Sequence, residues 1–136
     1  MRGITHTGDA AVTTVALAVA LTVWPGRIAA QATIATILGL AIFSLAKRAA
    51  RRARPSSLHA VMKAPDRFSM PSGHATCAWA IAITLSALLP GVAALALCWA
   101  LAVSISRVVL GVHYPFDVAA GAALGSLAAT VLLALT

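Results

Sequence analysis

Five long apolar runs, separated by short polar segments, constrain the fold of this chain more than any other feature of its sequence. A helix that crosses the hydrocarbon of a bilayer needs about 20 consecutive apolar residues, so 136 residues leave room for about five such helices. The runs lack the alternation of apolar and polar residues that a membrane β-barrel requires. We therefore predict an all-α fold, a polytopic transmembrane helix bundle with about five spans in a single domain over residues 1–136. The apolar runs cover residues 10–24, 28–46, 75–89, 92–106 and 115–136.

The amino-acid composition supports a membrane protein. Hydrophobic residues make up 61% of the chain and charged residues 10%, whereas a soluble domain carries about 25% charged residues. This composition excludes an ordinary soluble globule, a disordered tail and a disulfide-stabilised scaffold. We therefore expect an integral membrane protein.

The first apolar run has a second interpretation, which is a secretory signal peptide cleaved near residues 30–32. Arg2 fits the basic segment that precedes such a run, but Asp9 does not. The run is also at the upper limit of length for a signal peptide. We favour a membrane span for these residues.

The connections between the runs predict that one face of the bundle carries almost all titratable groups. Two tight turns, at residues 24–27 and 89–91, each contain Pro-Gly and join antiparallel neighbours. The longer polar segments 47–73 and 107–114 then lie together on the other face, beside the N-terminal residues. Of ten Lys and Arg residues only Arg27 falls on the opposite face, and all four His and all three acidic residues fall on the first. Such sorting is typical of an active site at the membrane interface.

The net charge of +7 must lie outside the hydrocarbon, so we expect membrane lipids with anionic headgroups as partners. The single Tyr and its neighbours do not form the basic patch with interleaved aromatic residues that RNA binding favours, and we expect no nucleic acid partner. Arg48, Arg51 and Arg52 are interpreted as a solvated basic edge attracted to anionic lipid. Direct substrate contact is the less favoured alternative for them, because like charges crowded into one pocket repel.

Three segments of the charged face offer what a phosphoryl group needs, which is mainly positioning and charge stabilisation. Lys47, Arg54 and Arg107 supply three cations, and the two arginines can hold pairs of oxygen atoms in a planar fork. Ser72 and Gly73 stand at a predicted helix start, where free backbone N–H groups form an anion site and glycine permits close approach. These five residues are the candidate phosphate ligands.

On the same face, two histidines and one carboxylate are candidates for the groups that attack phosphorus and transfer protons. His113 and Asp117 are four residues apart, around a proline that begins the fifth run. The carboxylate is predicted to hold the imidazole in one tautomer, which leaves the other ring nitrogen to attack phosphorus. His74, in the first turn after Gly73, can protonate the leaving oxygen. Together these groups favour a phosphatase.

The same segments resemble the signature of the type 2 phosphatidic-acid phosphatase family, whose superfamily also contains bacterial acid phosphatases, glucose-6-phosphatase and vanadium haloperoxidases. The pattern is K-x6-R-P, P-S-G-H and S-R-x5-H-x3-D, and all eleven fixed positions occur here, between Lys47 and Asp117, with the internal spacing intact. The resemblance implies that His113 forms a phosphohistidine, oriented by Asp117, and that His74 is the general acid and later the base. It also implies that five residues bind phosphate: Lys47, Arg54, Ser72, Gly73 and Arg107.

The remaining expectations concern metals, cofactors and assembly. No set of thiols or carboxylates has metal-ligand spacing in the sequence, so we expect a metal-independent enzyme without a cofactor. Gly121 and Gly125 form a small-xxx-small stripe for close helix packing, either within the chain or in a homo-oligomer. Membrane members of the family commonly have six spans, and the resemblance implies that the first is missing here. We therefore expect an edge of the bundle that is open or is closed by a partner chain.

The expected function is an integral-membrane lipid phosphatase that hydrolyses a phosphomonoester or diphosphate of phosphatidate, phosphatidylglycerophosphate or a polyprenyl phosphate. The alternatives are a phosphotransferase or a vanadate-dependent haloperoxidase on the same site, and a non-catalytic scaffold whose basic face binds anionic lipid. The bacterial inner membrane is the expected location. The positive-inside rule places the basic face in the cytoplasm, whereas the family's membrane members usually work on the outer side, and we favour the extracytoplasmic side.

Overall fold

A computed structural model of the chain describes residues 26–51, 53 and 68–136. A short 3-10 helix, Pro90–Val92, connects two of the α-helices. Within the described ranges no strand occurs, apart from an isolated antiparallel bridge between Ala53 and Phe68. The all-helical fold expected from the sequence is confirmed. The α-helices are α1 (Gly26–Ala50), α2 (Gly73–Leu88), α3 (Ala93–Val109) and α4 (Pro115–Leu135).

Helix α2 is the centre of the bundle. It packs against α1, α3 and α4, whereas α3 packs mainly on α2. Its sequence, GHATCAWAIAITLSAL, explains this position, because many of its residues are small and let the neighbouring helices approach closely. Nine of its 16 residues are buried, against three of 17 in α3. Helix α3 therefore turns most of its apolar surface outward, as a helix in contact with lipid does.

Three helical segments are long and apolar enough to cross a membrane by length and composition: Gly26–Ala50, Pro90–Val109 and Pro115–Leu135. Helix α2 is also apolar but has 16 residues. At 1.5 Å per residue it is about 24 Å long, which is less than the hydrocarbon thickness of about 30 Å. Four of the five expected runs are thus helices. The run over residues 10–24, and with it the choice between a span and a signal peptide, lies outside the described residues.

Polar side chains within these apolar helices find partners close by. Thr36 and Thr84 each donate a hydrogen bond of 2.8 Å to the carbonyl oxygen four residues earlier in their own helix. Between helices, Trp79 Nε1 donates to Ser104 Oγ at 3.0 Å, which links α2 to α3. These bonds keep hydroxyl and indole groups satisfied where no water is present to bind them.

Gly121 and Gly125 of α4 lie directly against the backbone of α2. A Cβ added at Gly121 would overlap the carbonyl oxygen of Ser72. A Cβ added at Gly125 would overlap the carbonyl oxygen of Thr76 and lie 2.9 Å from its carbonyl carbon. The glycine stripe therefore packs against α2 within the chain, which is one of the two uses expected from the sequence. Oligomerisation itself stays a prediction.

The direction of the helices places the polar segments at one end of the bundle. Helices α2 and α4 both begin there, and the Ser72 N–H donates to the carbonyl oxygen of Asp117 at 2.9 Å. At the opposite end, Gln31 Nε2 donates to Thr136 Oγ1 at 2.9 Å. We call the first of these the site end. Among the described basic residues only Arg27 lies at the opposite end, as the connections between the runs predict.

Candidate active site

The first turn of α2 is a capped helix N-terminus. Ser72 has an extended backbone, and its Oγ accepts a hydrogen bond from the amide of Ala75 at 3.5 Å. Its carbonyl oxygen accepts from the amide of Thr76 at 3.0 Å. The Ser72 side chain is fully buried, so it shapes the turn. The amide of Gly73 takes part in none of these bonds and is the donor that an anion at this turn would meet.

A backbone hydrogen bond joins the starts of α2 and α4. The N–H of Ser72 donates to the carbonyl oxygen of Asp117 at 2.9 Å. This amide fixes the two helices to each other, and phosphate binding by Ser72 stays a prediction. The bond brings the segment that carries His74 beside the segment that carries His113. His74 is half-buried in the first turn of α2, and His113 is 6% exposed.

The imidazole of His113 is held through one ring nitrogen. Its Nδ1 lies 2.8 Å from the carbonyl oxygen of Ser69. A carbonyl oxygen can only accept a hydrogen bond, so Nδ1 carries the proton and the neutral ring keeps its lone pair on Nε2. Ser69 is itself fully buried, and its Oγ donates to the carbonyl oxygen of Ala53 at 3.1 Å. This backbone contact favours the tautomer that the predicted attack through Nε2 would require.

The carboxylate of Asp117 lies in the first turn of α4. Its Oδ2 accepts a hydrogen bond from the amide of Tyr114 at 2.9 Å, and the side chain is fully buried. The sequence predicts that this carboxylate orients the ring of His113 directly. That role stays a prediction, and Oδ2 of Asp117 also binds the peptide that follows His113. Through that peptide the carboxylate positions the backbone of the histidine.

Arg107 lies half-buried in the last turn of α3. Its Nε donates to Ser106 Oγ at 3.3 Å, and this hydroxyl donates to the carbonyl oxygen of Val103 at 2.6 Å. Gly111, with φ of 70°, then turns the chain toward α4 in a conformation that favours glycine. The S-R-x5-H segment thus folds as one tight connection that places Arg107 and His113 at the same end of the bundle.

Lys47 reaches the site end from α1. Its Nζ lies 5.0 Å from the centre of the Phe43 ring, at a distance typical of a cation–π contact. The same ring packs against Gly73, because a Cβ added there would lie 3.2 Å from Phe43 Cζ. One aromatic ring therefore connects the ammonium group to the N-terminus of α2. Arg54, the remaining expected cation, lies outside the described residues.

All predicted site residues that the structure describes lie at one end of the bundle. Their chemical roles stay predictions. Within the ranges that the structure describes, no group of three or more His, Cys, Asp or Glu side chains is placed to hold a metal ion. Metal independence likewise stays a prediction. The predicted residues found at the site end are Lys47, Ser72, Gly73, His74, Arg107, His113 and Asp117.

Two residues that shape the site have no signal of their own in the sequence. Ser69 acts through its backbone carbonyl, which every residue type has, so side-chain chemistry does not reveal it. Phe43 is one of many apolar residues of α1, and only the packing of α1 against α2 shows that its ring lies at Gly73. Both contacts join segments that are far apart in the sequence.

Comparisons with known proteins show what this chain is similar to. The model of the PAP2 superfamily matches residues 28–136. A decaprenylphosphoryl-5-phosphoribose phosphatase of Mycobacterium tuberculosis is 42% identical over 91 residues, which cover 63% of this chain and 49% of the relative. A lipid A 1-phosphatase of Rhizobium johnstonii is 36% identical over 91 residues, which cover 61% of this chain and 37% of the relative. The chain thus spans about half the length of these curated relatives, or less.

Two solved structures share the fold. LpxE of Aquifex aeolicus superposes with a TM-score of 0.77 at 25% identity, covering 96% of this chain and 81% of that chain. A transmembrane PAP2-type phosphatidylglycerolphosphate phosphatase from Bacillus subtilis superposes with a TM-score of 0.74 at 25% identity, covering 98% of this chain and 73% of that chain. The helical arrangement is therefore similar to that of transmembrane phosphatases.

Proposed function

Because the chain belongs to the PAP2 superfamily and is an integral membrane protein, we propose that it hydrolyses a phosphomonoester or diphosphate of a membrane lipid. The observation that carries this proposal is the position of His113. Its Nδ1 is bonded to Ser69, and the bond between Ser72 and Asp117 holds its segment beside the N-terminus of α2. A nitrogen nucleophile next to an anion site, at the polar end of an apolar bundle, suits a phosphate carried on a lipid.

In the first proposed step, Nε2 of His113 attacks the phosphorus atom. The N–P bond forms while the bond between phosphorus and the leaving lipid oxygen breaks, and His74 gives its proton to that oxygen. The charge on the phosphoryl oxygens that do not react is stabilised by the predicted phosphate ligands, which are Lys47, Arg54, Ser72, Gly73 and Arg107. The lipid alcohol leaves, or the lipid phosphate leaves when the substrate is a diphosphate.

In the second proposed step, water attacks the phosphorus atom of the phosphohistidine. The N–P bond breaks, its electron pair returns to Nε2 of His113, and His74 accepts the proton that the water loses. Inorganic phosphate leaves the site. Both imidazoles then have the protonation states with which they began, so the cycle needs no further reactant.

The proposed substrate class is a lipid that presents its phosphate at the membrane rim. The named substrates of the similar proteins, decaprenylphosphoryl-5-phosphoribose, lipid A and phosphatidylglycerolphosphate, are of this kind. The first of these names describes a phosphoryl group and a separate phosphate in the same molecule. For this chain we propose phosphatidate, phosphatidylglycerophosphate or a polyprenyl phosphate as the candidates to be assayed.

Phosphate release from this panel of lipids tests the proposal. The purified full chain in neutral detergent is expected to release inorganic phosphate from at least one of the lipids, also in the presence of EDTA. Vanadate is expected to inhibit, since it adopts the five-coordinate geometry of the phosphorus under attack. If folded protein releases no phosphate from any of the lipids, the proposed function is wrong. Loss of activity in EDTA alone would contradict metal independence and leave the lipid phosphatase activity standing.

We further propose that the protein lies in the bacterial inner membrane with its site end outside the cytoplasm. The family resemblance supports this orientation, whereas the positive-inside rule applied to Lys47, Arg48 and Arg51 argues against it. Thr136 lies at the end opposite the site, so a C-terminal tag reports the orientation. A protease is expected to remove the tag in inverted membrane vesicles and to leave it intact in spheroplasts. The reverse pattern would place the site in the cytoplasm.

A further inference from the structure

A pocket of about 400 Å³ opens at the site end, and it shares Lys47 with the set of residues proposed to bind the phosphate that reacts. We call it the outer pocket. Among the described residues, α1 supplies most of the lining, and Phe68 is the one that lies outside α1. Its lining residues are Phe43, Ser44, Lys47, Arg48, Arg51 and Phe68.

The outer pocket continues from the proposed reaction site toward the solvent. On one side, the Phe43 ring packs against Gly73, and α1 then extends for seven more residues, or about 10 Å. On the other side, Phe68 directly precedes Ser69, whose carbonyl oxygen holds His113. A group bound in the outer pocket would therefore be a neighbour of the phosphate at the N-terminus of α2.

Arg48 and Arg51 add positive charge to the pocket beyond that of Lys47. The Arg51 N–H donates to the carbonyl oxygen of Lys47 at 3.3 Å, and its Nε donates to the carbonyl oxygen of Arg48 at 3.2 Å. Arg51 thus folds over the end of α1, where its φ is 42°. Asp117, the one acidic residue in the described parts of the chain, is bonded at the start of α4. The described lining of the pocket contains no carboxylate.

The helix dipole alone does not account for this arrangement. Cations are favoured at a helix C-terminus, and a basic edge attracts anionic lipid. Neither effect explains why both arginines share one cavity with Lys47 and two phenyl rings. Both arginines are exposed to solvent, so their guanidinium groups can reach an anion in the pocket and bind its oxygens through charge-assisted hydrogen bonds.

We propose that the outer pocket binds a second phosphate group of the substrate, one that is not hydrolysed. The inference rests on the proposed function and makes Arg48 and Arg51 specificity-determining residues. Each guanidinium group can hold two oxygens of a phosphodiester or phosphomonoester in its planar fork. The enzyme then prefers lipids with two phosphate groups over lipids with one. Arg48 and Arg51 then contact the substrate directly, which is the alternative to a basic edge for bulk lipid.

Two substrates with identical acyl chains test the proposal in micelles of neutral detergent. Phosphatidylglycerophosphate carries two phosphate groups and phosphatidate carries one. Arg48→Gln and Arg51→Gln are each expected to lower the ratio of the two kcat/KM values about tenfold, mainly through KM, because each removes a charge-assisted hydrogen bond. Arg27→Gln loses the same charge at the opposite end of the bundle and is the matched control, expected to keep the wild-type ratio.

The outcomes separate this inference from the proposed function. If both substrates lose the same fraction of kcat/KM, the arginines attract anions in general, and the inference is overturned. If neither substrate loses any kcat/KM, the inference is overturned as well. If the wild-type chain releases no phosphate from either lipid, the proposed function has failed, and calorimetry with pyrophosphate then decides about the pocket. The Arg48→Gln/Arg51→Gln double variant must bind pyrophosphate at least about tenfold more weakly than the wild type, and equal or absent binding overturns the inference.

Discussion

A His113→Asn variant is expected to lose phosphate release by at least about a thousandfold. Asparagine is polar, and its amide N–H can replace the donor that now lies 2.8 Å from the carbonyl oxygen of Ser69, so the fold is expected to persist. Its side chain has no basic nitrogen with which to form the N–P bond of a phosphohistidine. The measurement is the initial rate of phosphate release from the best lipid of the panel, at equal amounts of folded protein.

His74→Asn is the matched control for this prediction. With p-nitrophenyl phosphate, whose leaving group needs no proton, the His74→Asn variant is expected still to form a phosphoenzyme, which then hydrolyses slowly. His113→Asn is expected to form none. Phosphate release by His113→Asn at more than about a tenth of the wild-type rate would remove this residue from the mechanism, since loss of a nucleophile costs far more than that. Equal phosphoenzyme formation in the two variants would do the same.

A Gly125→Ala variant is expected to destabilise the bundle by about 1–3 kcal/mol, the usual cost of an extra methyl group in a well-packed interior. The added Cβ would overlap the carbonyl oxygen of Thr76 and lie 3.0 Å from the amide nitrogen of Ala80. Both atoms belong to the backbone of α2, so a side-chain rotation cannot relieve the overlap. Helices α2 and α4 must then move apart along the contact that holds the site together.

Thermal unfolding in detergent measures this loss of stability. A buried cysteine of the chain can report the unfolding. Cys77 is buried and Cys98 is exposed, so in a Cys98→Ala background a thiol-reactive dye detects unfolding through Cys77. Gly91→Ala is the control, because a Cβ at this position meets no atom within 4 Å and little change is expected. An unfolding temperature for Gly125→Ala equal to that of the control would contradict the close contact between α2 and α4.

The sequence predicts much of the fold because hydropathy and turn chemistry act locally. Apolar runs must become helices in a bilayer, and Pro-Gly turns fix which helices are antiparallel neighbours. The helix start at Gly73 and the proline at the first position of α4 follow from the same local rules. The motif residues therefore assemble at one end before any long-range packing is considered.

The contacts that refine the site are those the sequence does not predict. The bond from His113 to the carbonyl oxygen of Ser69 crosses 44 positions of the chain and uses a backbone atom, so residue types do not reveal it. The hydrogen bond from the Ser72 N–H to the Asp117 carbonyl oxygen likewise joins distant segments through backbone atoms. The direction in which Gly121 and Gly125 face also depends on helix rotation, because a small-residue stripe suits a partner within the chain or outside it.

The outward-facing position of α3 has a consequence for how such a protein can change. Apart from its last turn, with Arg107, this helix contributes little to the interior, and only three of its residues are buried. The starts of α2 and α4, which carry other predicted site residues, are joined by the backbone hydrogen bond from Ser72 to Asp117. Lipid-facing side chains of α3 can therefore be exchanged to match bilayers of different thickness or composition while the reaction geometry stays intact. Substitutions that suit the protein to a new membrane can therefore occur in α3, whereas most predicted site residues lie on or next to the other helices of the bundle.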